Sequence, residues 1–133
     1  MPKVDPKALL RAASAARKFS AAKHSGFKVG AALLTHSGRT FTGANVESDS
    51  YGLTCCAERV ALFKALTEGE KNFIAVAVVA RTAGGPMPCG ACRQLLAEYA
   101  PDADLWIADS GQLSRSQHFR VHQLLPHPFT LRP

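Results

Sequence analysis

Between Lys7 and about Ala22, Leu9, Leu10, Ala13, Ala16 and Ala21 fall at spacings that give one buried stripe, predicting an Ala-rich helix. Asp5-Pro6 just ahead of it supplies an N-cap side chain followed by proline at the first helical position. Val29 through Leu34 is an apolar run of strand length, and Thr40-Phe41-Thr42-Gly43-Ala44 alternates as a strand should. His36-Ser37-Gly38-Arg39 between them has turn chemistry, so the two runs predict a hairpin. Asn45 to Thr54 reads as a polar loop leading into a second helix, Cys56 to Glu68, which Gly69 stops. Phe73 to Ala80 is apolar without alternation, the pattern of a strand covered by helices on both faces. A loop rich in Gly and Pro, Arg81 to Pro88, then opens a third helix from Cys89 to Tyr99, and Pro101 ends it. Leu105 to Ala108 is a further short strand. After Asp109 the pattern weakens to a fifth strand near Arg115–Phe119 and a turn of helix at Val121–Leu125. This order predicts an α/β fold: a three-layer α/β/α sandwich with a mixed five-stranded sheet, one domain over residues 1–133.

Composition narrows the class without changing that picture. With 133 residues, 47% hydrophobic and 20% charged, the chain is expected to be an ordinary soluble globular protein with a proper core. No apolar run approaches the roughly 20 residues of a membrane helix. The N-terminus lacks the apolar segment of a signal peptide, so the expected location is cytoplasmic. The formal charge of +6 raises the question of a nucleic-acid partner. Yet Lys3, Lys7, Arg11, Arg17, Lys18, Lys23 and Lys28 all lie in the first helix and the loop after it, and no aromatic residues interleave with them as a base-stacking platform requires. A solvated basic face is the expectation, with no nucleic-acid or membrane partner.

The cysteines carry the chemistry. Thr54-Cys55-Cys56-Ala57-Glu58-Arg59 is answered some thirty residues later by Pro88-Cys89-Gly90-Ala91-Cys92-Arg93-Gln94. Two of the four cysteines are adjacent and two form a tight CxxC, which suits reduced thiols on a metal better than two disulfides. Three thiolates with a fourth position left open match a catalytic zinc site. Both clusters open helices, whose electropositive N-termini favour thiolate over thiol. Glu58 is the candidate base; Arg59, and also Arg93, are candidates to offset the negative charge of the sulfurs. In a regular helix Glu58 would lie about 200° from Cys56, so the first turn must aim it. A structural Cys₄ site using Cys55 and a redox-active CxxC are the competing readings.

Cys56-Ala57-Glu58 with Pro88-Cys89-Gly90-Ala91-Cys92 fits the Cys₃ form of the zinc-deaminase signature. Further matching segments are Phe27-Lys28-Val29-Gly30-Ala31-Ala32-Leu33, Asn45-Val46-Glu47, Tyr51-Gly52-Leu53, Arg93-Gln94, and Leu124-Leu125-Pro126 with Phe129. Over nearly its whole length the chain resembles the small homotetrameric zinc-dependent cytidine deaminases. The resemblance implies hydrolysis of cytidine and deoxycytidine to uridine and deoxyuridine in pyrimidine salvage. It implies one Zn²⁺ per chain on Cys56, Cys89 and Cys92, with Glu58 as proton shuttle. It implies that Asn45 and Glu47 hold the ribose hydroxyls, that Phe27 packs beside the base, and that Ala57 also meets the substrate. Phe129 looks like the aromatic that enters a neighbouring subunit's site, with Asp49 and Tyr51 near that junction. The chain departs from the usual pattern at Lys23-His24, at Ser48-Asp49-Ser50 and at Cys55. Asp49 and His24 motivate an alternative substrate, a modified cytosine nucleoside or a cytosine-containing antibiotic. Nucleic-acid editing and a non-catalytic zinc or redox module are more distant alternatives.

Overall fold

The computed structural model describes residues 2–131. Helix α1 (Pro6–Ala16) opens as its sequence predicts: the Asp5 carboxylate accepts from the backbone N–H groups of Lys7 and Ala8 at 3.1 and 3.2 Å, and Pro6 fills the first turn. Its buried stripe is Leu9, Leu10, Ala13 and Ala16. The helix ends earlier than its alanines suggest. A 3₁₀ turn, Arg17–Phe19, follows, and Ala21 then pairs as a short bridge with Val46. The Ala21 N–H donates to the Asn45 carbonyl, and the Ala21 carbonyl accepts from the Glu47 N–H, both at 2.9 Å. Non-local pairing thus takes backbone groups that helical propensity alone would have assigned to α1.

Strands β1 (Val29–Thr35) and β2 (Thr40–Ala44) form the expected hairpin, with Leu33 opposite Phe41. Helix α2 (Ala57–Thr67) leads to β3 (Phe73–Ala80), and α3 (Gly90–Tyr99) crosses to β4 (Asp104–Asp109). Strand β5 (Gln117–Arg120) and the one-turn helix α4 (Val121–Leu124) follow. The sheet order is β2-β1-β3-β4-β5; only β3 and β4 run parallel, joined by α3 as a parallel pair requires. The sheet is therefore mixed.

Strand β3 lies inside this sheet, and its side chains divide by parity. Ala75, Ala77 and Val79 meet Leu9, Leu10 and Ala13 of α1, whereas Val76 and Val78 meet Ala57, Ala61, Leu62 and Leu96 of α2 and α3. Both faces are covered, so the strand shows no polar alternation and the molecule has three layers, α/β/α. On the α1 side the packing is close: a Cβ at Gly30 would lie 1.9 Å from the Ala13 carbonyl oxygen. Each fully buried Leu or Ile, such as Leu10, Leu62 and Ile107, contributes about 1.5–3 kcal/mol through the area it removes from water. This rigid frame sets the N-termini of α2 and α3 beside each other at one end of the sheet. No helix among the described residues is long and apolar enough to cross a membrane.

Candidate metal centre and active site

Cys56 and Cys89 are not inside their helices. Each is the N-cap, with extended backbone (φ −70°, ψ 153° and φ −68°, ψ 169°), and neither makes a side-chain capping bond. Both thiols are thereby free to turn outward from the helix ends. Cys92, one turn into α3, is fully buried. The Sγ atoms of Cys56 and Cys89 lie 3.8 Å apart and those of Cys89 and Cys92 3.6 Å, with all three within 4.8 Å of one another. Tetrahedral zinc–thiolate bonds of about 2.3 Å place sulfurs about 3.8 Å apart, so the trio fits one zinc ion.

The fourth cysteine stays outside. Cys55 pairs through its backbone with Val46, at 2.8 and 2.9 Å, which in extended chain points its thiol away from that of Cys56. Burial pushes its thiol up rather than toward thiolate. The Cys₄ alternative therefore has no fourth sulfur in the cluster.

Cys56 is pulled down to about 5, first by the neighbouring Cys92 sulfur and then, against the cost of burial, by the Arg59 guanidinium and Cys89. The nearby Cys56 sulfur and burial push Cys92 up. Arg59 Nη2 donates to Cys56 Sγ and to the Thr54 carbonyl, each at 3.4 Å. Hydrogen bonding to Cys56 raises the guanidinium's own pKa, and its Nε is buried without a partner. Arg93 does something else. Its Nε donates to the Pro88 carbonyl at 2.8 Å and its Nη1 to the Leu124 carbonyl at 3.2 Å, tying the CxxC turn to the C-terminal segment.

Because Cys56 precedes α2, the 200° offset of a regular helix does not apply, and Glu58 turns into the same pocket as the Cys56 thiol. The pocket holds about 220 Å³. Cys56, Ala57, Glu58 and Cys89 from the two helix openings line it, together with Phe27, Val29, Asn45 and Thr54. Pro86 and Met87, from the loop before α3, complete the lining. Glu58 is 6% exposed, and burial raises its carboxyl to about 7, the Cys56 sulfur adding to the shift. Val29, Thr54, Pro86 and Met87 carried no signal as pocket residues; the nearest hint for the last two was their place just before Pro88-Cys89.

Asn45 is 8% exposed and already bound on both ends of its amide. Its Oδ1 accepts from the Ser20 hydroxyl at 2.5 Å and the Val29 N–H at 2.9 Å, and its Nδ2 donates to the Phe27 carbonyl at 2.9 Å. Glu47 is outside the pocket lining. Its Oε1 accepts from the N–H groups of His24 and Ser25 at 2.8 and 3.0 Å, and its Oε2 from the Ser25 hydroxyl. These bonds, that of the Ser25 hydroxyl foremost, hold its carboxyl below the usual carboxylate range.

Asp49, Tyr51 and Phe129 lie away from the pocket lining. Asp49 pairs with Lys23 Nζ at 2.9 Å and His24 Nε2 at 3.0 Å, so its charge is compensated locally. The exposed Tyr51 ring stands edge-on to His24, 5.6 Å between centroids. Phe129 accepts from Gln94 Nε2 through its carbonyl at 2.9 Å, while its ring faces solvent.

Residues 3–106 match the family model described as the cytidine and deoxycytidylate deaminase zinc-binding region. The chain is 46% identical over 127 residues to the cytidine deaminase of Halalkalibacterium halodurans, covering 96% of each. It is 31% identical over 110 residues to the blasticidin-S deaminase of Bacillus cereus, covering 77% of this chain and 76% of the relative. Its structure superposes on the crystal structure of cytidine deaminase from Burkholderia pseudomallei with a TM-score of 0.89, at 44% identity, covering 95% of this chain and all of that one.

Proposed function

This chain belongs to the cytidine and deoxycytidylate deaminase zinc-binding family, and we propose that it is a zinc-dependent hydrolase converting cytidine and deoxycytidine to uridine and deoxyuridine, releasing ammonia in pyrimidine salvage. The observation that carries this is the three-sulfur cluster at zinc spacing, opening onto a pocket in which Glu58 is the one carboxylate among the described lining residues.

Cys56, Cys89 and Cys92 would hold the ion, and the Arg59 guanidinium against Cys56 would offset the surplus charge of three thiolates. Zinc bound there would supply Lewis acidity that brings the pKa of a reacting water toward neutrality. Glu58 takes the proton of the attacking water on a carboxylate oxygen and returns it to ring nitrogen N3. It then carries the proton of the new C4 hydroxyl to the exocyclic amine, so that the C4–O bond becomes a carbonyl as the C4–N bond breaks and ammonia leaves. Phe27 offers an aromatic face to the pyrimidine, and Ala57 meets the substrate between Cys56 and Glu58. Asn45 and Glu47 serve the ribose hydroxyls.

One catalytic domain covers residues 1–133 in this reading. Its working form is a homotetramer in which Phe129, Tyr51 and Asp49 of one subunit complete a neighbour's site. A cytoplasmic location agrees with four cysteines outside any disulfide, since reducing compartments keep thiols unpaired. The similarity to a blasticidin-S deaminase favours a second reading, a modified cytosine nucleoside as substrate. The test is to incubate purified protein with cytidine and follow the ultraviolet change to uridine, beside 2′-deoxycytidine, cytidine monophosphate and blasticidin S. Turnover of cytidine ahead of the others supports the main reading. Turnover of blasticidin S alone supports the second, and zinc-loaded protein that deaminates none of them overturns both.

A further inference from the structure

Ser25 lies in none of the motifs that carry the zinc chemistry, yet it joins two parts of the site. Its hydroxyl oxygen accepts from the Phe27 N–H at 3.0 Å and its proton goes to Glu47 Oε2. The direction is forced. A backbone N–H can only donate, so it takes a lone pair of the hydroxyl, and a carboxylate can only accept, so it takes the proton. The Ser25 N–H adds a second bond to the same carboxylate and the His24 N–H a third. One residue therefore fixes Glu47 on one side and the backbone of the pocket-lining Phe27 on the other.

An ionised carboxylate has about four lone-pair sites, of which three are filled here, leaving one acceptor direction on Glu47. Asn45 is held in the same way: its oxygen takes two bonds, and one of its two amide hydrogens goes to the Phe27 carbonyl. One acceptor and one donor remain. That pair complements a sugar hydroxyl group or a vicinal diol, each hydroxyl of which can both give and take a hydrogen bond.

We propose that Ser25 is a specificity-determining positioning residue, which aims the one unfilled acceptor of Glu47 and so sets how strictly the enzyme requires sugar hydroxyls on its nucleoside. The proposal rests on the reading that Asn45 and Glu47 receive the ribose. Lys23 and His24 latch the same loop to Asp49 from outside, but these pairs are exposed and contribute little on their own. The Ser25 hydroxyl is the direct link.

The experiment compares kcat/KM for cytidine with that for 2′,3′-dideoxycytidine in the zinc-loaded wild-type protein and in Ser25→Ala, Ser25→Thr and Glu47→Gln, with zinc content measured in each. Ser25→Ala should lower the cytidine-to-dideoxycytidine ratio by roughly ten- to a hundredfold, the size of one lost hydrogen bond to a charged group, with the loss mainly in KM for cytidine. Ser25→Thr, which keeps the hydroxyl, should restore most of the ratio. General damage to the fold would lower both substrates together and leave the ratio unchanged, which would overturn the proposal. A ratio that collapses in Glu47→Gln but not in Ser25→Ala would overturn the role of Ser25 and leave the ribose reading standing. A ratio unmoved in Glu47→Gln would overturn both.

Discussion

Glu58 owes its place to Cys56, because an extended N-cap residue puts the carboxylate two positions later at the mouth of the helix rather than on its far side. There it is buried among sulfurs, where a carboxylate is poorly solvated and holds a proton more readily than on a surface. Gln has the same shape and none of the proton chemistry. Glu58→Gln should therefore keep fold and zinc while losing turnover by at least about 10²–10⁴-fold, the range for a positioned acid–base group. Cys89→Ala should do the reverse in order of cause: it removes one of three ligands, so most of the zinc is lost first and activity with it. Metal analysis alongside the rate of uridine formation separates the two. Glu58→Gln protein turning over near the wild-type rate would make Glu58 a packing residue.

At the scale of elements, the site depends on how closely α2 sits on β2. A Cβ at Gly43 would lie 2.6 Å from the Ala61 amide nitrogen and 2.7 Å from the Ala57 carbonyl oxygen. That is backbone against backbone, with no side chain to swing aside, and Ala57 is the residue next to Cys56. Gly43→Ala should lower Tm by roughly 5–10 °C through overpacking. It should also weaken zinc retention, because relief requires the first turn of α2 to move. Gly111→Ala, whose Cβ would meet only Asp109 Oδ1 at 3.8 Å, should do neither. A Gly43→Ala protein with wild-type Tm and zinc affinity would show that the contact yields without cost. Such approaches also explain which elements could be read in advance. The β1–β2 hairpin, β3 and the openings of α2 and α3 were legible because local pattern and final packing agree there. The end of α1 was not, since Ala21 leaves the helix to pair with Val46. Strand β5 runs Gln117–Arg120 on the sheet edge with a largely polar face, so only its approximate place could be read. In the site, cysteine spacing announced the metal ligands. Thr54, Pro86 and Met87 reach the pocket only through loop conformation, which leaves no period in the sequence.

The whole molecule leaves large apolar side chains in water: Tyr51 is 78% exposed, Leu53 73% and Phe129 69%. Tyr51 and Leu53 belong to one 3₁₀ turn after Glu47, and Phe129 sits on a segment tied to α3 by Gln94 and Arg93. That segment is therefore docked through its backbone while the Phe129 ring points outward, a poor arrangement for a monomer and a suitable one for meeting another subunit. The pocket gives a further reason. Deamination inside it needs bulk water excluded around the base, yet the pocket is open to solvent and part of its lining, Pro86 and Met87, is loop. Exposed aromatics from a neighbouring copy, arranged with D₂ symmetry, would cover it. Native mass measurement should find four chains. A chain truncated before Phe129 keeps the Arg93–Leu124 tie and all three sulfurs, so it should bind zinc as before. Its KM for cytidine should nevertheless rise by roughly tenfold or more, since a buried aromatic contact is worth about 1.5–3 kcal/mol. A fully active monomer, or truncated protein with unaltered KM, would mean that each site is complete within one chain and that the exposed aromatics serve something else.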